Sequence, residues 1–177
     1  MSARSGQWAY RAAQLWLAMA GTRDEIGLQH ARALLTPREF DLFDQLQPSE
    51  QAHALNILSQ LEQTGQQDSI LLRAALLHDI GKARHRLTLW GRVLIVLGGR
   101  FLPGSAAQWG TGEPRGWKRP FVIAAQHPAW GAQMAAQAGS LPEIIELIRS
   151  HQDANAPEMG STNIARLRTL QALDDQN

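Results

Sequence analysis

The stretch LLRAALLHDIGK, residues 71–82, runs almost wholly apolar into a His-Asp pair, a glycine and a lysine. Its periodicity predicts a helix over 70–80, capped at its start by Asp68 or Ser69 and stopped at Gly81. A helix that is apolar nearly all round is buried. An ionised Asp79 at the end of such a helix is costly unless something pairs with it. A divalent metal would compensate, because His78 and Asp79 can both turn toward one ion at a helix end. Gly81 lets the backbone come close, and Lys82 sets a cation beside the ion, where it can meet a phosphate. The plainer reading is a helix end with an incidental His-Asp pair and a solvated lysine. The segment by itself does not separate the two.

Outward from this stretch nearly every segment reads helical and strand signals are scarce. The pattern predicts helices over 7–20, 24–35, 37–46, 49–63, 88–97, from Pro128 to about Gly139, from Pro142 to about Ser150, and over 163–175. A loop rich in Gly, Pro and Trp is expected from about Gly98 to Pro120. The chain has 177 residues, 44% of them hydrophobic and 19% charged, which suits one all-α domain and argues against disorder. The net charge of +1 argues against a protein built mainly to hold nucleic acid or an anionic membrane. With no cysteine there is no disulfide, thiolate zinc site, iron–sulfur cluster or thiol nucleophile, so any transition-metal site must use His and carboxylates. The first 21 residues read as an amphipathic helix interrupted by Gln14 rather than a signal peptide, and the apolar run 93–97 is too short to span a bilayer. The expected location is the cytoplasm.

Six histidines remain to be sorted. His53 lies at the edge of the apolar stripe formed by Ala54, Leu55, Ile57, Leu58 and Leu61. A boundary histidine packing its ring is the simpler account there. His127 precedes Pro128 and is expected just outside a helix start, held extended by the proline. His151 falls between Leu147 and Ile144 on an apolar face, as either a core histidine or an inward ligand. Asp174 continues the stripe of Ile164, Leu167, Leu170 and Leu173, whereas Asp175 is turned about 100° off it. His30 reads as solvated. His85, in KARHR, reads as solvated first and as a phosphate-side residue second. Trp90, Trp109, Trp117 and the run 93–97 read as core packing first and as a partner or membrane-facing surface second.

Taken in order, His53, His78-Asp79 and Asp174 resemble the HD-domain superfamily of metal-dependent phosphohydrolases. LLRAALLHDIGK is similar to the family's HD-I-G-K segment, and His53 stands 25 residues before His78. HPAWGAQMAAQAG at 127–139 and IRSHQDAN at 148–155 look like the two further His segments of members with a two-metal site. LQALDDQN at 170–177 is similar to the closing acid, with Leu173 in place of the usual Ala. The likeness covers residues 37–177 and is closest to small stand-alone HD proteins of bacteria. It implies an HD-like helical bundle over 37–177, with 1–36 as a helical extension packed on it and 86–120 as an inserted loop.

The resemblance further implies one or two divalent ions, Mn, Fe, Ni, Co or Zn. His53, His78, Asp79 and Asp174 would hold the first, and Asp79 would bridge to a second held by His127 and His151. Asp79 and Lys82 would serve catalysis, and Lys82 and His85 would meet the substrate. The implied activity is hydrolysis of a nucleotide or related phosphate ester by metal-activated water. The alternatives are a non-catalytic nucleotide-binding or regulatory module and, further off, a di-iron oxygenase on the same scaffold. The Gly-Tyr-Pro segment of the cyclic-di-GMP hydrolysing branch is absent. For the separate acid used by alarmone hydrolases the candidates are Glu113 and Glu143. No nucleic-acid partner and no transmembrane segment are expected, and self-association is left open.

Overall fold

Caps and prolines set where each helix of the chain begins. The computed structural model describes residues 24–154 and 159–176. Helix α1 (Glu25–Leu34) starts at Asp24, whose carboxylate accepts from the Gly27 amide. Helix α2 (Pro37–Asp44) opens on a reciprocal box in which Thr36 and Glu39 satisfy each other's backbone amides. Helix α3 (Pro48–Gln63) has proline in its first turn. Helix α4 (Ser69–Leu77) is capped by Asp68, which accepts from the Ile70 and Leu71 amides. A 3-10 turn (Ile80–Arg84) follows it at once. Then come α5 (Leu89–Phe101), α6 (Pro103–Trp109), a short 3-10 segment (Gly116–Lys118), α7 (Arg119–Ala138), α8 (Pro142–Ser150) and α9 (Ser161–Asp174). Every regular element among the described residues is helical.

Helix α4 is the central element, as its composition requires. Leu71, Ala74, Ala75, Leu76 and Leu77 are buried against the inward stripes of α3, α8 and α9. Leu28 and Ala31 of α1 join the same core. The 3-10 turn lies tight against α7. A Cβ on Gly81 would overlap the His127 carbonyl and come within 2.7 Å of the Gly131 amide, so only glycine permits this crossing.

Three expectations need correction. Helix α7 starts at Arg119 and runs through Pro128, because Pro120 supplies the first-turn proline and the intervening FVIAAQH propagates the helix. The predicted loop from 98 to 120 is partly helical, since α5 continues to Phe101 and α6 follows. Gly98 is no stop signal here; it lies where α5 crosses α7, and a Cβ there would run into the Phe121 ring. The tryptophans and the run 93–97 are mostly not core. Trp109 is half-buried and meets Phe121 edge-on, but Trp90, Trp117, Val93, Leu94, Val96 and Leu97 are exposed. The helix predicted over 7–20 lies outside the described residues.

Candidate metal centre

Five helices deliver side chains to one buried point. His53 comes from the middle of α3, His78 from the residue that ends α4, and Asp79 from the next residue, before the 3-10 turn. His127 comes from α7, His151 from the end of α8 and Asp174 from the last turn of α9. His78, Asp79, His127 and His151 are buried, while His53 and Asp174 are about a fifth exposed, at 19% and 23% of their side chains.

Three rings are aimed by the same device. Nδ1 of His78 donates to the Ala75 carbonyl at 2.8 Å, and Nδ1 of His151 donates to the Ile148 carbonyl at 2.8 Å. Nδ1 of His127 donates to the carbonyls of Ile123 and Ala124, at 3.1 and 2.9 Å. Each ring thus spends one nitrogen on its own helix and turns Nε2 toward the others, the arrangement that orients metal-ligating imidazoles. The proline contributes to this. Pro128 has no N–H, so the Ala124 carbonyl lacks its usual helix partner and is free to receive the His127 ring.

The ligand atoms fall into two triads, His53, His78 and Asp174 on one side and Asp79, His127 and His151 on the other. Nε2 of His53 lies 2.8 Å from Asp174 Oδ1, and Nε2 of His78 lies 3.5 Å from it. Asp79 joins the two groups. Its Oδ1 lies 3.1 Å from His127 Nε2 and 3.8 Å from His151 Nε2, and its Oδ2 lies 3.5 Å from His78 Nε2. The same Oδ2 accepts from Lys82 Nζ at 2.6 Å.

Charge follows from this geometry. Burial by itself raises a carboxyl pKa, but Lys82, His78 and the His127 hydrogen bond hold Asp79 well below the carboxylate range. Asp174 is likewise lowered against its burial, through His53 and His78. Burial pulls His78 down, and the charges of Asp79 and Asp174 override it, up to about 10. His151 is pushed to about 3 by burial and the charge on His78, so its ring is neutral. Lys82 is raised, against burial, by Asp79 and Glu50.

A divalent cation fits this donor set. Nε2 of His78 is buried with no hydrogen-bond partner, a costly state in a ring whose other nitrogen is committed. Nε2 of His127 and of His151 converge to 3.2 Å beside a carboxylate oxygen. One cation among these atoms satisfies donors that otherwise face one another, and nitrogen and oxygen ligands suit a first-row divalent ion.

The remaining sequence candidates separate. Lys82 is not a solvated lysine, since its ammonium bridges Asp79 and Glu50. His85 lies outside the cluster, edge-on to Trp130 at 5.0 Å, with its pKa lowered by burial and by Arg119 and Arg84. His30 is exposed and pairs with Glu62 at 3.2 Å. Glu113 is exposed and paired with Arg115, away from the cluster. Glu50 and Arg92 are the residues that the sequence reading missed. Glu50 is buried, lies 3.7 Å from Lys82 and pairs closely with Arg92 of α5. Its position three residues before His53 put both on one face of α3, which was the available signal. A cleft of about 520 Å³ reaches the cluster from outside, lined by His151, Arg168, Gln171, Asp174 and Asp175 among others.

The comparisons with known proteins agree with the geometry. The HD domain family model matches residues 51–175, which span α3 to the last residues of α9 and include all six cluster side chains. No curated protein and no solved structure matches the chain significantly. On the family match and the all-helical fold that carries its His-Asp pair, the chain belongs to the HD-domain family, whose members are generally metal-dependent hydrolases.

Proposed function

We propose that the protein is a metal-dependent phosphohydrolase acting on a nucleotide or a related small phosphate ester, with His53, His78, Asp79, His127, His151 and Asp174 holding one or two divalent ions. The observation that carries this reading is the pair of adjacent triads joined through Asp79, with a lysine ammonium 2.6 Å from that same carboxylate. Residues 37–177 are taken as the catalytic unit and 1–36 as an extension, whose Leu28 and Ala31 reach the common core.

A bound divalent ion supplies Lewis acidity toward a phosphoryl oxygen and lowers the pKa of water. The protein supplies the rest. The rings of His78, His127 and His151 are held by their own helix carbonyls, so little reorganisation accompanies ligation. Lys82, kept protonated by Asp79 and Glu50, stands ready to neutralise charge on the phosphoryl group. Glu50, pinned by Arg92, limits how far the lysine can swing. The cleft beside His151 and Asp174 offers an approach to the ligand atoms.

The test is hydrolysis of a panel of nucleoside mono- and triphosphates and cyclic dinucleotides by the full chain with added Mn, Fe, Co, Ni or Zn. Phosphate release that chelator abolishes and one of these ions restores is the expected result. Tight nucleotide binding without turnover at saturating metal would favour a regulatory module. Oxygen uptake by an iron-loaded chain would favour an oxygenase.

A further inference from the structure

Helix α5 is apolar nearly all round, yet among the described residues it is packed on one side. Gly91, Ile95 and Gly98 face α7, where a Cβ on Gly91 would come within 3.3 Å of Pro120 and one on Gly98 would overlap Phe121. Arg92, on the same side, pairs with Glu50. The outward side carries Trp90, Val93, Leu94, Leu97 and Phe101, whose spacing forms one helical stripe. These five are between 38% and 76% exposed. Apart from Ile26 and Leu141, every exposed large apolar residue among the described residues lies between Leu89 and Trp117. An apolar patch this concentrated marks a docking surface.

Charge identifies what docks. Between Lys82 and Arg119 the sequence contains one acid, Glu113, and it is paired with Arg115 at 3.0 Å. Arg84 and Arg86 lead into the first turn of α5, and Arg100 stands in its last turn. Lys118 precedes α7 at the point where Pro120 touches Gly91, and its Nζ stands 5.7 Å over the exposed Trp117 ring. All four cations are exposed. A second copy of the chain docking through the same face would set these cations against their counterparts. An anionic bilayer complements both features, with acyl chains for the stripe and headgroups for the cations. Tryptophans at the margin of an apolar patch suit the headgroup level. No described helix is long and apolar enough to cross a membrane, so α5, with 13 residues, would lie in the interface plane.

We propose that the outward face of α5, with the cationic residues around it, docks the protein on an anionic membrane surface. The inference stands apart from the metal centre and survives if that centre proves inactive.

The experiment is co-sedimentation of the full chain with vesicles of equal parts phosphatidylglycerol and phosphatidylcholine, beside vesicles of phosphatidylcholine alone. Binding to the anionic vesicles, weakened by salt and much lower on the neutral ones, is expected. The double variant Leu94→Glu/Leu97→Glu should lower the partition coefficient at least ~10-fold by removing the buried apolar area. Trp90→Ser, at the most exposed position of the stripe, provides a second variant with little to lose in folding, and circular dichroism checks both. Failure to bind anionic vesicles at millimolar lipid would overturn the proposal. So would variants that bind as well as the wild type. A vesicle-free dimer abolished by the same variants would assign the face to a second copy and overturn it as well.

Discussion

Pro128 shows how one residue can aim another. A proline inside a helix removes a backbone donor and ordinarily costs about 3 kcal/mol. Here the loss is partly offset, because the Ala124 carbonyl it leaves free accepts from His127 Nδ1 at 2.9 Å. Pro128→Ala restores the amide and makes it compete with the ring for that carbonyl. The expected outcome is a helix at least as stable but a less firmly oriented His127, with metal affinity reduced ~10-fold, in the range of second-contact changes around metal ligands. Titration with a chromophoric competitor chelator, alongside a melting curve, separates the two effects. The proline was legible in the sequence and its role was not. Proline reads as a helix start, and only the helical FVIAAQH before it, placed by Pro120, makes it an interior residue. His53, His78, His151 and Asp174 were legible. His151 and Asp174 continue the apolar stripes of their own helices, whereas His53, at the edge of its stripe, and His78, at the end of an all-apolar helix, stand out through the family resemblance. Glu50 and Arg92 were not, since their pairing joins α3 to α5 across 42 residues of chain.

At the scale of elements, two contacts hold the helices that carry the site. One is Glu39, which is fully buried in α2 and accepts from Arg73 of α4 and from Ser140 before α8. Burial raises its pKa, and Arg73, Ser140 and Thr36 bring it below the ordinary 4.5. A carboxyl held lower in the folded chain than in the unfolded one stabilises above the unfolded value, and that stability fades as pH falls through the folded value. Glu39→Gln should therefore cost about 3 kcal/mol near neutral pH, by leaving Arg73 partly buried without its counter-charge. The gap to the wild type should close progressively below about pH 4.5, and urea unfolding across that range reads it. The other contact is the crossing of the 3-10 turn over α7. Gly81→Ala has no room beside the His127 carbonyl and the Gly131 amide, so the helices must part. We expect a loss of more than about 2 kcal/mol in stability together with weakened metal uptake, because the displaced segment carries Asp79 and faces His127. A glycine after HDI reads from sequence as a helix stop that allows close approach, and which backbone it admits, that of His127 and Gly131, appears only once α7 is in place.

Over the whole molecule, α4 is a buried rod with the metal centre at its end and α5 is a half-exposed one at the flank. Both are apolar nearly all round, and no local signal in their residues tells them apart. What separates them is supplied by distant chain. Among the described residues, helices α3, α8 and α9 close over α4, whereas α5 packs on α7 and the short α6 and reaches α3 through Arg92. The same limit applies to charge. A net charge of +1 over the chain conceals a cationic segment between Lys82 and Arg119 that is balanced by acids elsewhere. The central claim concerns the point where five helices meet, and metal content tests it most directly. The purified full chain, loaded with Mn or Fe and desalted, should retain about one to two equivalents of divalent metal by elemental analysis. Asp79→Asn, verified as folded, should retain far less, because among the described residues Asp79 is the carboxylate that faces both triads, and phosphate release should fall with it. A wild-type chain that retains no divalent ion, or an Asp79→Asn chain that keeps the full complement and its activity, would contradict the account.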